Sequence, residues 1–388
     1  MMQDFRSQID GKRPDWLGIG VVGLVLAGVG VLIVNIFVNM QAAGMTPGYG
    51  FLAQTAGFDL SESLIPYTAG DSYGRVIVAG LLNTILLAVV SLMLATFVGV
   101  MMGLVSVTPS PAGRMVATLY VELFRNLPKI LVLLVLYVLA VRGLPPSREA
   151  LSLGPVYLSN RSIYIPTIVP DAGQVWLLAP LAASALAAVW WVRRARRIKA
   201  ATGRESPVAI IVIALLLCVP LGFALLADVP LEISAPSFER FDYEGGARLS
   251  VQFLVVMLTL GLYHGAQIAE VVRGGILAVP SGQVEGALAL GLSRGHVTRF
   301  VVLPQVLRIV IPPMINQFVN LIKNTSIAIA VGYSDLMSVS GTIINQTFRP
   351  LEMMLVTMGL YLGLSLIAST LMNRLNDTLR SRGARRGS

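Results

Sequence analysis

The chain has 388 residues, 55% of them hydrophobic and 13% charged, with a mean hydropathy of +0.76 and a formal charge of +9. A soluble domain carries about 25% charged residues, so this balance excludes an ordinary soluble enzyme and indicates a chain that crosses a membrane several times. The basic residues cluster between long apolar runs, which assigns the excess to topology and not to nucleic-acid binding; a lone cysteine, Cys218, excludes an internal disulfide, and His264 and His296 offer no metal cluster.

The polar lead MMQDFRSQIDGKRPDW precedes an apolar run without a small-residue cleavage site, which reads as an uncleaved first span. A helix needs about 20 apolar residues to cross the hydrocarbon core. Stretches near 17–39, 76–106, 116–141, 174–192, 207–228, 249–272, 311–333 and 351–373 meet or approach that length. The expectation is therefore an all-α integral membrane protein of eight transmembrane helices. With the amino terminus in the cytoplasm, the segments on that side hold 19 of the 29 Lys and Arg residues and the opposite loops hold seven. That positive-inside bias places both termini in the cytoplasm. The outer loops, rich in Pro, Gly and short polar residues, suggest turns and small docking surfaces. The chain thus divides into 1–75 with the first span and an outer loop, 76–141 with two spans, 142–248 with outer loops and a hairpin of two spans, and 249–388, which ends in a basic tail.

In the sixth span Tyr263, Gln267 and Glu270 share a face, and Arg273 lies one turn beyond, where it forms a structural pair with Glu270. Between the sixth and seventh spans, residues 273–310 carry two helix-forming pieces. Val284, Ala287, Leu288 and Gly291 follow the spacing of one apolar helical face, Gly291 is a helix stop, and Ser293 can cap a second helix that runs until Pro304 interrupts it. Arg294 and His296 fall on that second piece, where contact with a partner and a solvated face are both open readings. Such an element, tied to a span at each end, acts as a lever; a lipid-facing amphipathic connector is the alternative, and a DNA-binding helix pair is excluded by the double tether.

The seventh span carries Asn316, Asn320, Lys323 and Asn324 along one helical face, followed by Thr325 and Ser326. A midspan lysine costs about 2.5 to 3.5 kcal/mol, so the stripe must face protein or water. It either lines a substrate passage or fixes interhelical packing.

The loop resembles the EAA loop of ABC importer permeases: Glu-Ala-Ala, three residues, Gly, nine residues, Ile, one residue, Leu-Pro. Here Glu285, Gly286, Ala287, Gly291, Val301, Leu303 and Pro304 keep that spacing, with Gly286 in place of the first alanine and Val301 in place of isoleucine. The stretches GLLNTILLAVVSL, YVELFRNLPKILVLL, AQIAEVVRGGILAVPSGQVEGALALGLS and LPQVLRIVIPPMINQFVNLIKNTSIA are similar to permeases of polar amino-acid importers, in the same order; Asn126 and Leu127 depart from the usual Phe-Arg-Gly-Thr-Pro.

The resemblance implies a type I permease core of five spans, enlarged by the first span and the hairpin as in broad-range or acidic and amide amino-acid importers of Gram-negative bacteria. It implies import of L-amino acids from periplasm to cytoplasm across the inner membrane. Glu285, Gly286, Ala287 and Gly291 would form a coupling helix docked on an ATPase, with Ser293, Arg294 and His296 beside it. The implied partners are two copies of an ATP-binding cassette ATPase that bind ATP and Mg, a second, different permease, and a periplasmic amino-acid-binding protein. No cofactor is expected in this chain. It has no phosphate-binding Gly-Lys-Ser or Gly-Lys-Thr loop and no hydrolase or zincin motif, so it is not itself expected to be an enzyme. The rival is an ion-coupled secondary transporter acting without an ATPase; such carriers often show inverted repeats and intramembrane acids, and neither is evident.

Overall fold

In the computed structural model the described residues are 16–42, 48–168, 178–202, 207–226, 233–240 and 242–384. The polar lead as far as residue 15 and the last four residues of the basic tail lie outside them.

Helix dominates because runs of apolar residues can satisfy their backbone groups internally. In chain order the helices are α1 (Trp16–Ala42), α2 (Tyr73–Val105), α3 (Pro111–Asn126), α4 (Lys129–Gly143), α5 (Leu178–Thr202), α6 (Val208–Leu226), α7 (Val251–Leu277), α8 (Ser281–Ala289), α9 (Arg294–Val297), α10 (Leu303–Asn324), α11 (Leu336–Thr347) and α12 (Pro350–Ala384). A π-helical turn, Thr298–Val302, joins α9 to α10, and a 3-10 turn, Thr325–Val331, follows α10. Among the described residues four helices are long and apolar enough to cross a membrane: α2, α7, the continuous helix Arg294–Val331, and α12 as far as Arg374; α3 and α4 together make a fifth if that bent pair is one span.

The expected single span at 116–141 is broken. Leu127 is extended and precedes Pro128, and the two helices meet at 105°. A residue before proline is pushed out of the α region, and here that restriction prevails over the apolar pattern. α3 then packs through Ala117 and Val121, while the Tyr120 hydroxyl donates to the Leu262 carbonyl at 2.6 Å.

α2 and α7 form the central pair. Their seam is lined by small residues, which let the backbones approach: a Cβ at Gly99 would stand 2.6 Å from Ile268 and 2.8 Å from the Gly265 carbonyl, and one at Gly103 would stand 2.7 Å from Val272. Three apolar clusters surround the pair. Leu87, Leu133, Phe253, Leu260 and Tyr333 pack at one end, Ile268, Val272, Val306 and Leu321 toward the other, and Phe51, Val76, Leu336, Ile343 and Met353 beneath the 48–72 loop. The outer faces stay apolar and exposed, as at Phe97, Leu104, Met358 and Leu366, which suits lipid contact.

The all-α expectation requires a correction outside the bundle. Short antiparallel strands β1 (Leu151–Leu153), β2 (Val156–Leu158), β3 (Ser162–Ile165) and β8 (Ala247–Ser250) form one sheet in that order. The pair β4 (Thr167–Ile168) and β5 (Ile233–Ser234) and the hairpin β6 (Ser237–Glu239) with β7 (Asp242–Glu244) stand beside it. Tyr164 pairs with Arg248 across the β3/β8 register, its hydroxyl donates to Asp242, and its ring meets Tyr243, itself stacked on Tyr157 at 4.6 Å. The loops on either side of α5 and α6 are thus joined in a small sheet, where turns and small docking surfaces were expected. α5 and α6 pack chiefly on each other.

Candidate functional site

At the end of the bundle opposite the sheet, α7 is followed by Pro280, which starts α8. α8 turns Ala287 inward and half-buries Val284, whereas Glu285, Gly286, Leu288 and Leu290 are exposed, Leu290 at 84%. The apolar face read from spacing is therefore narrower than expected. Gly291 has φ +81; its N–H donates to the Leu288 carbonyl at 2.9 Å, and the Leu292 N–H donates to the Ala287 carbonyl at 3.3 Å. This pair of bonds is the Schellman closure of a helix, which favours glycine because a Cβ disfavours the left-handed conformation.

Ser293 precedes the next helix as expected, but its hydroxyl bonds the His296 ring at 2.7 Å and makes no bond to a backbone N–H. His296 stacks on Phe300, over which the Arg299 guanidinium also lies, and both aromatic rings are exposed. Arg294 is exposed beside them. Pro304 does not stop the helix. Its missing N–H follows the π turn of residues 298–302, which spaces the chain so that α10 continues without a break; the Gln305 side-chain amide donates to the Val301 carbonyl at 3.0 Å. The result is one 38-residue helix from Arg294 to Val331 driven directly from the loop.

Farther along that helix the polar stripe divides. Asn316, Asn320 and Lys323 are exposed on the surface of the single chain, while Asn324 turns inward and its side-chain amide lies 3.1 Å from His264 Nε2. Thr325 is buried, donating to the Ile322 carbonyl, and Ser326 donates to that of Lys323.

Glu270 and Arg273 form the expected pair at 3.6 Å, and Glu270 also meets Arg125 at 3.7 Å. Arg125, half exposed, is drawn to this carboxylate. Arg125, Glu270, Gln267 and Gln317 line a cavity of about 280 Å³ between α3, α7 and α10. The buried polar atoms of Gln317 and His264 face one another between α10 and α7, and Lys129 lies over the Tyr263 ring. Sequence reasoning missed Gln317 and the Arg125 contact; the i, i+3 spacing of Gln267 and Glu270 carried part of the signal. No group of His, Cys, Asp and Glu among the described residues could hold a metal ion.

At the sheet end, the Glu62 carboxylate accepts from the Ser250 N–H and hydroxyl, both at 3.0 Å, at the first turn of α7. Burial pushes this carboxyl above its usual range, against the lowering effect of those bonds and of Arg248. Asn83 donates to the carbonyls of both Glu62 and Ser334, at 2.9 Å each. The 48–72 loop is thereby fastened to α2, α7 and the turn that ends the stripe helix.

Residues 206–381 match the family described as binding-protein-dependent transport system inner membrane component. The chain is 38% identical over 343 residues to the general L-amino acid transport system permease protein AapQ of Rhizobium johnstonii, covering 88% of this chain and 86% of that one. It is 36% identical over 396 residues to the glutamate/glutamine/aspartate/asparagine transport system permease protein BztB of Rhodobacter capsulatus, covering 93% and 92%. The glutamine transport system permease protein GlnP of Escherichia coli matches at 38% over 128 residues, 33% of this chain and 58% of that one.

Proposed function

The chain belongs to the binding-protein-dependent transport system inner membrane components, among the permeases of amino-acid ABC importers, and from that premise we propose how it works. It is the membrane-spanning subunit of an ATP-driven importer of L-amino acids, and the hydrolysis of ATP belongs to a separate subunit. The observation that carries the mechanism is the shape of the loop: α8 ends in a fixed left-handed turn, presents Glu285, Leu288 and Leu290 outward, and is held between two long helices.

An exposed apolar and acidic face on a short helix suits a cleft on another protein. α9, the π turn and α10 form one continuous helix, so a displacement of α8, passed on through the turn at Gly291, reaches Asn316, Asn320 and Lys323 along a single element. Closure of two ATPase subunits, each holding ATP and Mg, would thus tilt the helix that bears the stripe. Glu285, Gly286, Ala287 and Gly291 set the docking geometry, and Ser293, Arg294 and His296 flank it. Asn316, Asn320 and Lys323 face either the passage or a second permease, whereas Asn324, Thr325 and Ser326 keep the helix packed. Glu270 and Arg273, with Arg125, form a structural ion pair at the edge of a polar cavity.

We further infer a type I layout of eight crossings, in which the five-span core is joined by α1 and the α5–α6 hairpin. The apolar stretches of α1 and α6 and the skew of basic residues support it, with both termini in the cytoplasm of a Gram-negative cell. The second permease is a different chain, and a periplasmic binding protein delivers the amino acid on the sheet side. In proteoliposomes holding all subunits, uptake of labelled amino acid should require ATP. Uptake by this chain alone, driven by an ion gradient, would overturn the reading in favour of a secondary carrier.

A further inference from the structure

The four-stranded sheet has two unlike faces. Residues paired across antiparallel strands, and residues two apart along one strand, share a face. Leu249, Ile163, Leu158 and Leu151 pair in turn across β8, β3, β2 and β1 and form one row. Two residues along, Ala247, Ile165, Val156 and Leu153 form the next. Both rows are wholly apolar. Tyr157, Tyr164 and Arg248 take the other face, where the β6–β7 hairpin covers them through Tyr243 and Asp242.

An antiparallel sheet with one solvated face ordinarily turns its polar side to water. Here the order is reversed: the polar and aromatic side is covered and the apolar side is open. Leu249 packs against the core cluster of Leu133 and Tyr333, yet no residue of either row is buried. Exposure peaks on the edge strand β1, where Leu151 is 52% and Leu153 69% exposed and no charged residue blunts the edge.

Position and size select the occupant. β8 passes into α7 at Ser250 with no intervening loop, and the Arg161 carbonyl accepts from the Val251 N–H at 3.0 Å. The exposed Arg161 therefore stands at the first turn of α7, and both rows lie on its outward side. A cation at that level belongs among headgroups, which leaves the rows in the aqueous layer and not among lipid tails. Two rows across four strands cover on the order of 200 Å², well below the about 800 Å² that a stable interface takes from each partner. The face thus suits one part of a contact that forms and releases, not a permanent seam between subunits. Glu149 and Arg161, both exposed, supply the polar rim of such a patch.

We propose that the open face of this sheet docks a soluble protein on the outer side, the binding protein on which this family depends, through an apolar patch centred on Leu151 and Leu153. That the visitor is the binding protein rests on the transport reading above; the surface rests on the register of the strands.

The test uses the assembled complex in lipid nanodiscs, with Cys218→Ser and with Leu153→Cys carrying a nitroxide. The probe is the purified binding protein that supports ATP-dependent uptake by the parent complex. Alone, the label should be mobile and open to a water-soluble nickel chelate; with the binding protein added, it should become immobile and shielded. In an unlabelled complex carrying Leu151→Asn and Leu153→Asn together, the binding-protein concentration for half-maximal ATPase stimulation should rise about tenfold, the factor for partial burial of two leucines, while maximal stimulation holds. Ser152→Asn, on the opposite face of the same strand, should move neither value. A label that meets oxygen but not the chelate before any addition would assign the face to lipid, and one already immobile would assign it to the partner permease. Either result overturns the proposal, as does a label that stays mobile while ATPase is stimulated, or a half-maximal concentration unmoved in the double variant. Failure of the binding protein to stimulate the parent complex at all removes the transport reading, and the identity of the visitor with it.

Discussion

Gly291 provides the sharpest test of the lever. A Cβ there would meet no atom within 4 Å, so the cost of replacement comes from φ +81 and not from crowding. An L-residue in the left-handed region costs about 1–2 kcal/mol, and asparagine is tolerated better because its side chain can bond locally. Since 1.4 kcal/mol is about a factor of ten, alanine should lower the fraction of chains with a correctly closed α8 several-fold, and valine should lower it further. Complexes carrying Gly291→Asn, Gly291→Ala and Gly291→Val should therefore show amino-acid-stimulated ATPase activity in the order Gly, Asn, Ala, Val, with subunit assembly weakening in the same order. Equal stimulation in all four would refute the lever. Asparagine failing as badly as valine would show that the position needs a bare backbone surface and not conformational freedom.

Gly99→Ala should destabilise the solubilised complex by about 1–3 kcal/mol, as overpacking does, because its Cβ collides with Ile268; Gly363→Ala, with nothing within 4 Å, is the control that thermal unfolding should leave unharmed. Lys323→Met alters an exposed side chain, so the unfolding free energy should stay within about 0.5 kcal/mol of the parent while ATP-dependent uptake falls; a stability loss instead would place Lys323 in the packing. Asp335 caps α11 by accepting from the Ser338 N–H at 2.9 Å, and burial pushes its carboxyl from 3.8 up to about 6. A raised acid stabilises the fold below its unfolded value and loses that contribution as pH rises through about 6. The thermal midpoint should accordingly fall between about pH 4 and 7, and Asp335→Asn should flatten that slope.

Much of the bundle is legible in the chain because apolar runs of span length have few alternatives to helix. The closure at Gly291 is legible too, since glycine after a helical run has one common structural use. Two prolines behave differently for reasons that local pattern does not contain. Pro128 breaks an apolar run at 105° because Leu127 is forced into an extended conformation, whereas Pro304 follows a π turn that supplies the space its ring requires. The sheet is hidden because its strands span two to four residues each, too short for alternation to show, and β3 pairs with β8 across the whole α5–α6 segment. Which residues of the polar stripe point inward also depends on a partner, His264, on another helix. The open apolar face of the sheet requires the register of all four strands, so no local window of sequence contains it.

The pairing of β3 with β8 imposes an order on biosynthesis. Strands β1 to β3 leave the ribosome well before their last neighbour, and the segments that become α5 and α6 must be made, and on the eight-crossing reading threaded through the bilayer, before Ser250 can align with Ser162. Until then β3 carries an open edge, and the amino end of α7 has no sheet to abut. Completion of the sheet therefore reports that the newborn chain has placed its middle third correctly, and a topological error there would leave a bare strand exposed to quality-control proteases.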